Sequence, residues 1–592
     1  MKKPTDANDQ HVARGLPAVA ACIDGATKPD PEDDKAEKDD KKSSTQSQIL
    51  MCIARDQCDL YHCEGEAYAT TNDGGTHAVR SKGFRMFLSR RFVGASGRAP
   101  SSQALHEAID TIEAVVVGGD AERVVALRTG EELGKVYIDL GTDDYQLIEV
   151  GPDGWRIVAH SVTAVRFRRS PSMRPLPVPS RNGSLDDLRP FLNVDDDGWR
   201  LEMSWLLHSL QPRGPYPILV FTGEQGTAKT WTSKLLRALA DPSQAAVRSA
   251  PKDDDQLFVG VRGSRILAFD NLSGMPAWLS DLLCGLSTGT AQSKRQLYTD
   301  GDEVIIQALR PVIVNGIDDL AARPDFASRA LSITLSPIPD DKRREESILW
   351  AEFESSRPGI FGALLTALSK VLATRKEIHL AKLPRMADFA RFGIAVERVL
   401  EWPDGSFLAA YEASQRASAT TTMESNLVAL AVQRLMVGAG DKVVRVSATE
   451  LLPRLAGHMT IDQLHSRQWP QSASQLGNHL RRISPALREF GISVEQEKRH
   501  GDRFWCLACS SGAAGAAGGG ATILVLPSVG AAGAAGAAVP TLGSEKEGER
   551  GKEVGGARGQ DRYKGKTAAT PAPGAPPAPG VQMDDDDDED AV

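Results

Sequence analysis

Taken as a whole, this chain has no excess of positive charge. Its 592 residues carry 69 Lys and Arg against 78 Asp and Glu, a net charge of -9. A polycation that coats nucleic acid or an acidic membrane is therefore excluded, and any nucleic-acid contact must come from local basic patches. Cysteine is also scarce. Seven in the whole chain, without framework spacing, exclude a disulfide-stapled scaffold and suit a reducing cytoplasm. Cys52, Cys58, His62 and Cys63 lie close together, and Cys506 and Cys509 form one C-x-x-C. Zinc sites show two paired half-sites at set spacings, and neither group does, so both read as structural thiols. No long apolar run is present either. The segment 16–23 is short and follows Asp6, Asp9 and Arg14, which argues against a secretory signal. The uncharged stretch 504–544 is mostly Ala and Gly with Pro527 in its most apolar part; it reads as a linker, and no membrane partner is expected. A paired-acid pattern of the kind a primase needs is missing before residue 180.

What the chain does have is residues 216–237, YPILVFTGEQGTAKTWTSKLLR. An apolar run is followed by a glycine-containing turn, then Lys229 and Thr230, then Leu235, Leu236 and Leu239 at helical period. This is the strand, loop and helix order of a phosphate-binding P-loop. Successive backbone N–H groups of Gly223, Glu224, Gln225, Gly226, Thr227 and Ala228, with the positive end of the following helix, suit the phosphates of ATP or GTP. Lys229 adds a charge to those phosphates, and the Thr230 hydroxyl is the expected Mg²⁺ ligand. One position departs from G-x-x-x-x-G-K-[ST]: Ala228 stands where the second glycine belongs. The alternative is a chance Gly/Ala/Lys turn before a helix.

Downstream, GSRILAFDN is an apolar run ending in Asp270 and Asn271. A buried parallel strand with a carboxylate at its C-terminal tip is where an α/β nucleotide site keeps its Mg²⁺-organising acid. PVIV then ends in Asn315, an amide that can orient water or sense a γ-phosphate. RPDFASRALSITL places Arg323 and Arg329 ahead of a further apolar segment, as arginine fingers or as ordinary ion-paired arginines.

The expected organisation is α/β. Residues 1–48 form a disordered acidic tail, and 49–178 a small α+β domain. Residues 179–345 are the P-loop ATPase core, followed by a helical extension over 346–422. Residues 423–510 are a winged helix, and 511–592 an Ala/Gly-rich linker ending in DDDDDED. In the N-terminal domain, 81–92 reads as a helix with Phe84, Phe87 and Leu88 on one face. Arg80, Lys82, Arg85, Arg90 and Arg91 lie around it, either touching nucleic acid or simply solvated. A second helix is expected over 102–116, with short strands in ERVVALR, KVYIDLG, YQLIEV and GWRIVAH. Residues 185–210 give two helical patterns. In the winged helix, Leu476, Leu480, Ile483 and Leu487 form the buried stripe. His479, Arg481, Arg482 and Arg488 face outward, toward DNA or toward a protein partner.

The order P-loop, h-h-h-h-D-N, h-h-h-N, Arg resembles the AAA+ ATPases. More narrowly it resembles superfamily-3 helicases and the helicase half of phage and plasmid primase-helicases. FDNLS, SDLLC, LYTD and RPVIVNGI further resemble ATP-binding proteins of bacterial mobile elements. The resemblance implies a hairpin between the second and third strands whose basic residues, Lys294 and Arg295 here, grip DNA. It also implies a homo-oligomer, a ring, with Arg329 serving the neighbouring subunit. Asn271 departs from the pattern, standing where many AAA+ proteins have a catalytic Glu, so the general base is open; Asp281 and Glu303 are nearby carboxylates. The expected function is an ATP hydrolase, a DNA helicase or helicase loader in replication of a mobile element. It would act in the cytoplasm on single- or double-stranded DNA, with ATP and Mg²⁺ as cofactors and Lys229, Asp270, Asn271, Asn315 and Arg329 as catalytic residues. The alternative is a nucleotide-gated DNA-binding scaffold without productive turnover.

Overall fold

The computed structural model describes residues 45–509, apart from 290, 296–302, 317–319, 321–322, 381–382, 440–442, 467 and 500–501. The tails expected over 1–44 and 511–592 lie outside these residues, as do the side chains of Lys294, Arg295 and Glu303. Residues 45–48, which the sequence pattern assigns to the tail, cap and begin a helix instead. Thr45 and Gln48 form a reciprocal capping box that satisfies two orphan N–H groups at its start.

That helix, α1 (Gln46–Gln57), leads into a meander of β1 (Cys58–Cys63), β2 (Glu66–Thr71) and β3 (Thr76–Ala78). Helix α2 (Lys82–Ser96) starts at the Ser81 cap and stops at Gly97, whose φ of 71° takes the left-handed turn that ends helices. Helix α3 (Ser102–Val117) starts at the Ser101 cap. Leu50 and Ala54, Phe84, Leu88 and Phe92, and Ala108 and Ile109 bury one face from each helix in a common core.

A parallel pair, β4 (Val125–Ala126) with β9 (Arg166–Phe167), frames an antiparallel sheet. That sheet runs in the order β5 (Thr129–Glu132), β6 (Lys135–Asp139), β7 (Leu147–Gly151), β8 (Gly154–Val158). Val136, Ile138, Ile148, Val150 and Trp155 join the same hydrophobic cluster as the body that follows. Each large apolar side chain so buried contributes about 1.5–3 kcal/mol. Arg128, with no exposed surface, ties the sheet to that body: it donates to Asp241 at 3.2 Å and to the carbonyls of Asp139 and Arg174.

The body is a parallel sheet built from strands far apart in sequence. Its order is β11 (Leu267–Leu272), β14 (Val312–Gly316), β10 (Ile218–Thr222), β15 (Ala330–Thr334). Leu219 sits beside Ile313 on one side and Leu331 on the other. Outside β11, a single bridge from Arg248 to Phe269 adds a rudimentary edge. All four strands have near-continuous buried apolar residues, as expected for a sheet covered on both faces. The covering helices are α4 (Asp196–Ser209), α5 (Lys229–Ala240), α6 (Asp254–Gly263), α7 (Ala277–Thr288) and the single turn α8 (Pro324–Ala327). The first of the two helical patterns before the sheet, 185–191, is a 3₁₀ helix. Pro190 inside it has no N–H to continue an α-helical ladder. The hairpin β12 (Ala291–Arg295) and β13 (Glu303–Gln307) is antiparallel and in register.

Helices α9 (Glu346–Thr374), α10 (Ala387–Val399) and α11 (Ser406–Ser425) complete the body. Beyond them lie α12 (Leu427–Ala439), α13 (Ala448–Ala456), α14 (Ile461–His465) and α15 (Ala473–Glu489). They pack with a sheet in the order β16 (Val444–Ser447), β18 (Asp502–Cys509), β17 (Ile492–Arg499). Leu476, Leu480, Ile483 and Leu487 are all buried, with Trp505 and Leu507 across from them. The chain is thus a mixed α/β protein. Among the described residues no helix is long and apolar enough to cross a membrane.

Candidate functional site

The loop from Gly223 to Ala228 links the C-terminal end of β10 to α5. Gly223 has φ 135°, and a Cβ there would meet the Leu335 carbonyl oxygen at 2.5 Å, so only glycine fits. Gly226 has φ 83°. Ala228 also lies in the left-handed region, φ 68° and ψ 22°, so the alanine adopts the conformation that the missing glycine would take. The strain is on the order of 1–2 kcal/mol, the penalty of an L-residue in that region. Asn193 holds the loop from outside, donating to the Thr227 carbonyl at 3.2 Å and to the Ser336 carbonyl at 2.7 Å.

Lys229 folds back over this loop. Its Nζ donates to the carbonyls of Gly223 at 2.7 Å and Glu224 at 2.6 Å, and lies 3.3 Å from the Thr227 hydroxyl. Desolvation lowers its pKa, partly offset by the charge of Asp270. Thr230 donates to both Asp270 oxygens, at 2.8 and 3.1 Å. The strand tip that carries this acid is fixed by its own N–H, which donates to the Arg248 carbonyl at 2.8 Å.

Asn271 has φ 54°, and its N–H donates to Asn315 Oδ1 at 2.8 Å. Asn315 is buried, and its amide nitrogen donates to the Ser233 hydroxyl at 3.2 Å. Both ends of the amide are therefore engaged within the chain. It joins the tip of β11 to the first turns of α5. Sequence reading missed Ser233 and Asn193. The first was within reach, since it stands four residues after Lys229 and shares its helix face. Nothing local marks the second.

The structure thus gathers Gly223, Gly226, Ala228, Lys229, Thr230, Asp270, Asn271 and Asn315 at one edge of the sheet, with Glu224 and Gln225 exposed at the loop's tip. Arg329 is not bonded to this group. Its guanidinium pairs with Asp325 at 2.5 Å, and Asp325 also takes Arg385 at 2.7 Å. Arg323 pairs with Asp281 at 2.9 Å, which occupies one of the carboxylates considered as a base. Asp281, Cys284, Asp325 and Arg329 line a cavity with Leu257 and Phe258.

Elsewhere, burial pushes the Cys58 thiol up to about 12 and raises that of Cys63, which disfavours the thiolates a metal would need. Among the described residues no cluster of three or more His, Cys, Asp or Glu could hold a metal ion. On α15, Arg481, Arg482 and Arg488 are exposed and His479 is half-buried.

Hard oxygen donors and a loop of exposed backbone fit a nucleotide with Mg²⁺. Thr230 and Asp270 offer adjacent oxygens, and Mg²⁺ is commonly held by one or two carboxylates plus phosphates and water, without a dedicated cage.

Comparison with known proteins places the chain. Residues 185–417 match the family model of the actinomycete integrative conjugative element replication protein, and residues 428–517 match the model of the C-terminal domain of that RepA protein. No curated protein matches. Similar solved structures include the apo C-terminal region of NrS-1, at 13% identity over 79% of this chain and 100% of that one, with a TM-score of 0.36. The SCCmec type IV Cch active helicase is 13% identical over 75% of this chain and 90% of that one, with a TM-score of 0.38. The JCV helicase is 15% identical over 39% and 66%, with a TM-score of 0.19. With both domains of one replication protein matched in chain order, the protein belongs with the RepA-type replication proteins of mobile genetic elements, the kinship that its FDNLS and RPVIVNGI strings suggest.

Proposed function

We propose that this replication protein is an ATP-driven motor on DNA, a helicase or helicase loader of its mobile element, with a P-loop ATPase core and a C-terminal winged helix. The observation that carries the reading is the pair Thr230–Asp270. A hydroxyl and a carboxylate from different strands and helices meet at 2.8 Å, directly beyond a loop with three left-handed residues. That is the arrangement nucleotide hydrolysis requires of its first contacts. The edge order Arg248, β11, β14, β10, β15 supports an AAA+ assignment. The antiparallel hairpin between β11 and β14 stands where the resemblance expects a DNA grip.

In this reading the chain's own groups divide the work. Backbone N–H groups of residues 223–228 receive the phosphates. Lys229, now bonded to the Gly223 and Glu224 carbonyls, would hold phosphate oxygens, and Thr230 and Asp270 would hold a Mg²⁺ that neutralises developing charge when bound. Asn315 positions the β11 tip through Asn271. Hydrolysis would break the bond between the γ-phosphorus and the bridging oxygen as a water oxygen bonds to phosphorus, the water's proton leaving to solvent, to give ADP and phosphate.

The second reading, a nucleotide-gated DNA-binding protein without turnover, is favoured by one observation. Asn271 supplies no carboxylate, and the Asn315 amide is already engaged at both ends within the chain. ATP turnover measured with and without single-stranded DNA separates the two. Turnover stimulated by DNA supports the motor, and its absence despite ATP binding supports the gate. Lys229→Ala should abolish ATP binding, at least a 100-fold loss, in a folded protein. Unchanged affinity would remove the P-loop assignment.

A further inference from the structure

From Gly74 to His106 the chain has no Asp or Glu, yet it contains Arg80, Lys82, Arg85, Arg90, Arg91 and Arg98. In a protein of net charge -9 this run concentrates cations on one short element, α2, which carries four of the six, with Arg80 and Arg98 just beyond its ends. It lies outside both matched stretches, 185–417 and 428–517, so neither assigns it a role.

The three-dimensional arrangement sharpens the pattern. Phe84, Leu88 and Phe92 take the buried side of α2. The opposite side carries Lys82, Met86, Arg90 and Val93, a single stripe at i, i+4, i+8 and i+11. All four are exposed, Met86 at 52% and Val93 at 44%. Neighbouring acids do not neutralise the stripe. Asp110 and Glu113 of α3 are taken by Arg80, and Arg85 leans on His106 at 3.4 Å. Arg91 lies on the flank, over the Phe87 ring at 5.4 Å and in the field of Asp73. Among the described residues Lys82, Arg90 and Arg98 pair with no carboxylate.

We infer that the outer face of α2 is a further DNA-binding surface, separate from the hairpin and the C-terminal domain, and that its ligand is duplex DNA. A rigid helix holds Lys82 and Arg90 about 12 Å apart along its axis, as eight residues at 1.5 Å dictate. Fixed spacing suits the regular phosphates of a duplex. Single strands are held by exposed aromatic rings on which bases stack, and this face has none: Phe84 and Phe92 are buried and Phe87 is covered by Arg91. Met86 and Val93, between the cations, supply apolar contact to sugars or thymine methyls. The inference is independent of nucleotide binding.

The test uses the full chain without nucleotide, titrated onto a fluorescent duplex and onto the matching single strand at several salt concentrations. Lys82→Glu with Arg90→Glu should weaken duplex binding tenfold or more at low salt. It should also reduce the slope of log affinity against log salt by about two, since each phosphate contact contributes about 0.9. Lys376→Glu with Arg416→Glu, the same charge change on exposed residues of the body, should leave binding within twofold. Should the charge reversal disturb folding, Lys82→Gln with Arg90→Gln gives the same comparison with a smaller loss. Wild-type duplex affinity in a folded variant overturns the inference, as does an equal loss in the control pair. A loss confined to the single strand overturns the duplex assignment, and ATP binding should be unchanged in every variant.

Discussion

Ala228 and His208 show what single residues contribute here. The alanine takes the left-handed conformation at φ 68° because the turn into α5 demands it, not because the side chain prefers it. Glycine would adopt that backbone without strain, although it loses more freedom on folding. Ala228→Gly should therefore raise stability by about 0.5–1 kcal/mol net, read as a higher denaturant midpoint. A lower midpoint would mean that the methyl packs more than it strains. His208 is buried among the rings of Tyr216, Phe389 and Phe392, its Nε2 3.1 Å from the Pro215 carbonyl. Burial pushes its pKa down to about 4. The unfolded imidazole, near 6.5, binds its proton first, so the stability this residue gives is full above that pH and is lost as pH falls toward 4. Between about pH 7.5 and about pH 5.5 the loss should be about 1 kcal/mol from His208. His77, His160 and His479, also lowered by burial, add in the same direction. His208→Gln should flatten most of that dependence. An equally steep dependence in the variant would assign the effect to the other histidines.

At the scale of elements, the antiparallel sheet β5–β8 is fastened to the body by specific polar bonds as well as by apolar packing. Trp155 donates to the Thr366 hydroxyl at 3.0 Å, and Ser369 donates to the Gly151 carbonyl at 2.6 Å, both joining the sheet to α9. Arg128 reaches Asp241 at the end of α5, whose other oxygen accepts from the Arg265 and Ile266 N–H groups at the start of β11. One buried pair thus holds three elements in position. Arg128→Ala removes the nearer of two guanidinium groups from buried Asp241, leaving Arg237 at 3.8 Å and two backbone N–H donors, and should cost on the order of 2–3 kcal/mol, visible as a drop in unfolding midpoint. A change below about 1 kcal/mol would show that Asp241 finds water or another cation instead.

For the whole molecule, the open matter is whether one copy suffices for the proposed turnover. Arg329 is held inside its own chain by Asp325, and no bond joins it to the Lys229–Thr230–Asp270 group. An arginine so placed serves a neighbouring copy's nucleotide if it leaves Asp325 when copies assemble. Arg329→Ala should then bind ATP nearly as wild type but hydrolyse it roughly 10³-fold more slowly, the scale of an arginine finger. Mixed with Lys229→Ala, it should regain activity, because some interfaces then carry one intact loop and one intact arginine. A mixture that stays inactive while mixed oligomers form would rule out the shared site.

The sequence by itself determined whatever depends on near neighbours in the chain. The apolar run, glycine turn and Lys-Thr of 216–237 specify a strand, loop and helix. The period of Leu476, Leu480, Ile483 and Leu487 specifies one face of α15, since periodicity acts within a few residues. The mixed α/β class and the place of Asp270 on β11 were legible for the same reason. Tertiary structure alone decided who meets whom across long separations. The β10 strand pairs with β14 and β15, more than ninety residues downstream, and only that adjacency brings Asn315 to Asn271 and Ser233. Asn193 reaches the 223–228 loop from 34 residues away, Arg329 finds Asp325 rather than that loop, and the 129–158 sheet enters the core of the body. Hydrogen bonds and ion pairs act over about 3 Å, so their partners are fixed by strand order and packing, which local pattern does not encode.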